Sequence, residues 1–140
     1  MWTNETPTIS TYGDAAFTAD VDRYAYKVLD TDTLLLSVNL SNGAVAAGTN
    51  TAQITRFSIS MPNGYVAASA QRFGVMLALG NGQAFGGEAY FPCDHDTGEI
   101  IGDVLVISYG GGMYTDNIGG AAIGNNLHVN FNAAIEVTAA

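Results

Sequence analysis

The stretch that decides the fold is "NNLHVNFNAAIEVTAA", residues 125–140. Leu127, Val129, Phe131, Ala133, Ile135 and Val137 occupy every second position. His128, Asn130, Asn132, Ala134, Glu136 and Thr138 fall between them. A period of two is the signature of a β-strand with one buried face. The spacing therefore predicts a core strand over Leu127–Val137. Its second face is polar but carries Glu136 as its sole carboxylate. A merely solvated strand face is usually rich in Lys and Glu. Asn and Thr can instead meet another subunit through hydrogen bonds, so His128, Asn130 and Asn132 are candidate partner-binding residues and a homo-oligomer is expected.

The same rhythm recurs upstream. Strands are predicted over Phe17–Leu29, Thr33–Leu40, Ile54–Met61, Phe73–Leu79, Ala84–Phe91 and Val104–Tyr109. In the second of these Leu34, Leu36, Val38 and Leu40 share a face; in the third, Phe57, Ile59 and Met61 do. Helical periodicity is nearly absent, the best candidate being "YVAASAQRFGVMLALG", which Gly74 interrupts. Turn signals separate the runs: "DTDT", "MPNGY", "LGNGQ" with Asn81-Gly82, "CDHDTGE" and "YGGGMYTDNIGG", with "SNGAVAAGTN" as a longer loop. About seven to nine antiparallel strands so spaced imply an all-β, jelly-roll-like β-sandwich. No repeat or linker divides residues 1–140, which are expected to form one domain.

Composition narrows the partners. Apolar residues make up 48% of the 140 and charged residues 12%, which fits a folded chain with a real core. Net charge is −9, from 13 acidic and 4 basic residues. Affinity for phosphate backbones and for anionic lipid comes from clustered Lys and Arg, so neither nucleic acid nor membrane is an expected partner. The opening "MWTNETPTIS" shows no secretory pattern, and no run of about 18 apolar residues appears.

Catalytic and metal constellations are weak. "CDHDTGEIIGD" is the densest polar cluster, and Asp94, Asp96 and Glu99 are hard-oxygen candidates for Ca²⁺, although the spacing fails the EF-hand pattern. Cys93, His95 and His128 are conceivable zinc ligands, but Cys93 and His95 stand too close in sequence for most structural sites. The carboxylates sit mostly beside turn residues, where Asp serves the turn itself. No G-x-S-x-G is present. No enzymatic activity and no cofactor are expected. Among the aromatic residues, Tyr109 and Tyr114 flank the glycine-rich loop and are candidate glycan contacts.

The order of elements resembles a known family. Trp2 stands just before Thr6-Pro7-Thr8; the Tyr-rich "DRYAYKV" precedes the alternating "TLLLSVNLS"; "FSISMPNG" closes on a proline; and "IGNN" leads into a strand ending "IEVTAA". This resembles the small jelly-roll modules of tailed bacteriophages: fibre tips, minor tail proteins, head fibres and decoration proteins. The resemblance spans nearly the whole chain, although Ala122-Ile123-Gly124-Asn125 stands where many such modules have a Trp and a Gly-Asp. It implies a non-enzymatic subunit, often trimeric, on the virion surface and assembled in the host cytoplasm. A module running from Trp2 to just past Glu136 fits a capsid decoration (cement) protein bound to the major capsid protein lattice. The alternative is a tail-fibre or minor tail tip that recognises a host surface receptor or glycan. On this view residues 1–10 form an extended arm, with Trp2, Thr6 and Pro7 contacting the partner.

Overall fold

A computed structural model describes residues 1–11, 17–45, 56–78, 84–108 and 127–140. Within them the chain is all-β: β1 (Thr3–Asn4), β2 (Ile9–Thr11), β3 (Phe17–Asp30), β4 (Thr33–Val45), β5 (Arg56–Ser60), β6 (Tyr65–Ala67), β7 (Arg72–Ala78), β8 (Ala84–Tyr90), β9 (Val104–Ser108) and β10 (Leu127–Ala139). No helix occurs among the described residues.

All pairings are antiparallel, in the order β1-β3-β4-β10-β7-β8-β9-β5-β2, with β6 added against the end of β10. The expected pair of facing sheets is thus one continuous ladder. It curls into a half-barrel, so that the inward residues of β3, β4 and β10 meet those of β5, β7 and β9 in a single core. Leu34, Leu36, Leu40, Phe57, Ile59, Leu105, Ile107, Leu127 and Ile135 have no exposed surface. Each such side chain removed from water contributes about 1.5–3 kcal/mol before the entropy of ordering is subtracted.

β10 runs through the centre of this wall. It pairs with β4 from Leu127 to Glu136, with β7 at His128–Asn130 and with β6 at Val137–Ala139. Between β7 and β6 the Gln71 side chain stands in for a strand residue. Its Oε1 accepts from Glu136 N at 2.8 Å, and its Nε2 donates to Glu136 O at 3.0 Å. The backbone of β10 is thereby satisfied where its neighbour changes.

Two stretches within the body of the sheet differ from expectation. "SNG" in Ser41–Gly43 looks like a loop, yet β4 continues to Val45, and the Asn-Gly signal is spent on an irregularity within the strand. Asn42 adopts φ 54°, a left-handed conformation that Asn tolerates, and its Nδ2 donates to Asp20 Oδ2 at 2.7 Å. In the helix candidate, Tyr65–Ala67 forms β6 and Arg72–Ala78 forms β7. The turn between β5 and β6 is as read: Tyr65 N donates to Pro62 O at 3.1 Å, and Gly64 supplies φ +91°.

Candidate interaction face

The sheet has an inner face and an outer face, and β10 shows both. From Leu127 to Val137 every odd residue is buried, and His128, Asn130, Asn132, Ala134 and Glu136 are all exposed. The ladder sets their neighbours. Asn130 lies between Asn39 of β4 and Met76 of β7, and Asn132 lies opposite Ser37. His128 is aligned with Ala78. Beyond Met76 comes Gly86 of β8, and beyond Gly74 comes Glu88. The three residues expected to bind a partner therefore share one open surface at the middle of the sheet.

Met76 is the feature that sequence reading passed over, although the alternation of Phe73, Val75 and Leu77 already placed it on the opposite face. It is 62% exposed. Beside it lies an apolar hollow of about 100 Å³, lined by Met76, Leu77, Ala78, His128 and Asn130. That is well below the roughly 300–1,000 Å³ of a small-molecule site. The hollow has room for a side chain.

At one rim, Arg72 Nη1 lies 2.6 Å from Glu88 Oε2, and the guanidinium sits 5.2 Å from the Tyr90 ring centroid. The ion pair is exposed and contributes about 0–1 kcal/mol. At the other rim, Arg23 Nε donates to Ser37 Oγ at 2.9 Å, and its guanidinium lies 4.8 Å from the Trp2 ring centroid. Ala25 and Ser37 are buried on this side of the sheet.

The amino-terminal segment does not project as an arm. Residues 1–11 are extended but lie along the chain's own body and clasp the two edges of the curled sheet. Thr3 and Asn4 pair with Tyr26 and Ala25 of β3, whereas Ile9, Ser10 and Thr11 pair with Ile59, Ser58 and Phe57 of β5. Glu5 N donates to Tyr24 O at 3.1 Å, Ser60 N to Thr8 O at 3.0 Å, and Asn63 N to Glu5 Oε1 at 2.9 Å. Pro7 is buried, Thr6 is exposed and Trp2 is 38% exposed. Pro7 is thus spent within the fold. Under this clasp Tyr24 Oη donates to Ser60 O at 2.6 Å, joining β3 to β5 directly. Burial, with the Glu5 carboxylate adding to it, pushes the Tyr24 phenol well above its ordinary value.

The acidic turn is organised by its own hydrogen bonds. Asp94 Oδ1 accepts from Asp96 N at 2.8 Å and from Thr97 N at 3.0 Å. Gly98 N donates to Asp94 O at 2.9 Å, with Gly98 at φ +72°. The Thr97 amide, and then that of Asp96, holds the Asp94 carboxyl below the usual range. Asp94 is therefore committed to the turn. Among the described residues no three His, Cys, Asp or Glu side chains come together as a metal site, which bears on Asp94, Asp96 and Glu99 and on Cys93, His95 and His128 alike. Cys93 is exposed and free. Tyr109 and Tyr114 lie outside the described residues.

What the fold and this face define is a class: an antiparallel half-barrel with an exposed sheet face whose central strand carries no Asp, Glu, Lys or Arg from His128 to Ala134. No family model, no curated protein and no solved structure matches the chain.

Proposed function

We propose that this chain is a non-enzymatic structural protein of a bacteriophage virion surface, a jelly-roll-type decoration subunit, and that the outer face of β4, β10 and β7 is one of its protein contacts. The observation that carries the reading is the row of exposed His128, Asn130, Asn132 and Ala134 beside an exposed Met76, at the centre of the sheet. A row of amides and small residues beside one protruding apolar side chain has the composition of a protein contact: little charge to desolvate along this stretch of β10 and hydrogen bonds at hand. The resemblance in element order to phage jelly-roll modules supplies the setting, and the Lys-poor, Asn- and Thr-rich sequence agrees with it. Modest contacts of this kind gain strength when repeated over many copies on a shell.

The test is immunogold electron microscopy of phage particles produced by cells that express the chain, with antibody raised against the purified protein. Label distributed over the capsid is the expected result. Label confined to the tail tip moves the protein to host recognition, with a surface glycan or receptor as partner. Particles without label overturn the virion reading.

A further inference from the structure

Glycine inside a strand weakens it, because it packs nothing and loses the most conformational freedom on folding. Some glycines here have an internal reason. A Cβ on Gly87 would stand 2.5 Å from Ser108 O and 2.7 Å from Leu77 Cδ1, and one on Gly102 would stand 2.8 Å from Ala67 O. Gly74 and Gly86 have none. A Cβ on either would meet nothing within 4 Å, and neither adopts positive φ. Both lie on the outer face, Gly86 directly across from Met76 and Gly74 two residues before it on the same strand. The exposed Met76 side chain thus stands beside bare backbone and beside the apolar hollow at His128 and Asn130.

Charge points to what approaches this surface. Two copies of a chain of net charge −9 repel each other, and they meet at least cost where carboxylates are balanced. Three of the four basic residues, Arg23, Lys27 and Arg72, lie on strands β3 and β7 in register with outer-face positions Asn39, Leu35 and Tyr90. Four carboxylates stand in register with outer positions of the same sheet: Glu88, already paired to Arg72, and Asp20, Asp30 and Glu136, which lie nearer the strand ends. Three cations against four carboxylates leave this face close to balance on a molecule of net charge −9.

We infer that this face is a contact between two copies of the chain, with Met76 of each copy seated over the bare backbone of Gly74 and Gly86 of the other. Knob and receiving surface belong to the same patch, so the contact is self-complementary about a twofold axis. Methionine is unbranched and adapts its shape to such a surface. Asn130 and Asn132 flank the contact and supply hydrogen bonds across it. The pair departs from the threefold assembly that the phage resemblance implies. The inference rests on reading the outer face as a contact surface, but on no virion location.

Sedimentation velocity of the purified chain over a wide concentration range tests it, with thermal melting of every variant alongside. The wild type passes from monomer to dimer. Gly74→Thr and Gly86→Thr raise the melting temperature of the dilute chain, because a β-branched side chain replaces a strand glycine. The same variants weaken self-association at least tenfold, as does Met76→Lys. A wild type that stays monomeric overturns the inference, and so does a trimer. Threonine variants that dimerise like the wild type overturn it too. A monomer that binds particles through Met76 puts a shell protein on this face and likewise overturns it. A dimer in solution with no label on particles leaves this contact standing and removes only the virion reading.

Discussion

Strands β10 and β9 belong to one sheet, yet their outward positions meet opposite fates. Along β10, Asn130, Asn132 and Ala134 are open to solvent. Along β9, Val106 points away from the core formed by Leu105 and Ile107, and it is only 1% exposed. Its neighbour across the ladder, Ser58 of β5, is 6% exposed. At Val106 and Ser58 the sheet is buried on both faces, whereas along β10 it is buried on one. A surface already covered within the chain offers nothing to a partner, so a contact in the middle of the sheet is directed to the β10 side.

Substitution at matched outward positions breaks or sharpens this contrast most strongly. Val106→Asp places a carboxylate where no water reaches, and it is expected to cost about 4 kcal/mol or more in urea unfolding. Asn132→Asp, also outward but exposed, is expected to stay within about 0.5 kcal/mol of the wild type. Equal effects would erase the distinction between the walls.

The clasp that joins the walls comes next. Removing residues 1–8 deletes hydrogen bonds to Tyr24 O, Ser60 and Asn63 as well as the buried Pro7. At about 1 kcal/mol for each of four bonds, the truncated chain is expected to lose roughly 4 kcal/mol. Faster amide exchange at Ser60 and Asn63 than in β10 would locate the loss at the seam. A truncated chain as stable as the full one would mean that the segment contributes nothing to closure.

Tyr24→Phe isolates one link of that seam and is expected to cost about 1 kcal/mol. The phenol is raised above its unfolded value, so its contribution is complete below about pH 10 and is lost as pH climbs toward the folded value. The wild type should therefore weaken above about pH 10. The Phe variant should weaken less over that range. The smallest effect belongs to the acidic turn. Asp94 should titrate below the ordinary aspartate range by NMR, with its contribution to the turn lost as pH falls through that lowered value. Asp94→Ala should speed amide exchange of Asp96 and Thr97 while leaving β10 unchanged.

The contrast between walls also marks what the sequence reveals. "LHVNFNAAIEV" alternates because one of its faces meets water, so its strand, its core side and its open side can all be read directly. "VLVIS" at Val104–Ser108 is continuously apolar, which marks a strand but conceals its faces, since both are buried. Met76, Gly74 and Gly86 sat within a legible alternation, but their meaning depends on which strands neighbour β7, and pairing order is not written in a local pattern. The role of residues 1–11 was hidden for the same reason. "MWTNETPTIS" carries no strong strand signal, and its two short strands exist because edges of β3 and β5, distant in sequence, are brought within reach. Asn42-Gly43 was misleading because an irregular strand and a turn ask for the same residues.

The most direct measurement of the central claim is hydroxyl-radical footprinting of the methionines in dilute and concentrated protein. Met76 stands on the outer face at 62% exposure, and Met61 lies in the core at 7%. In dilute solution Met76 should oxidise rapidly while Met61 is spared, and on concentration Met76 alone should become protected. A Met76 rate that is already slow in the dilute chain, or one that does not change on concentration, would contradict the account.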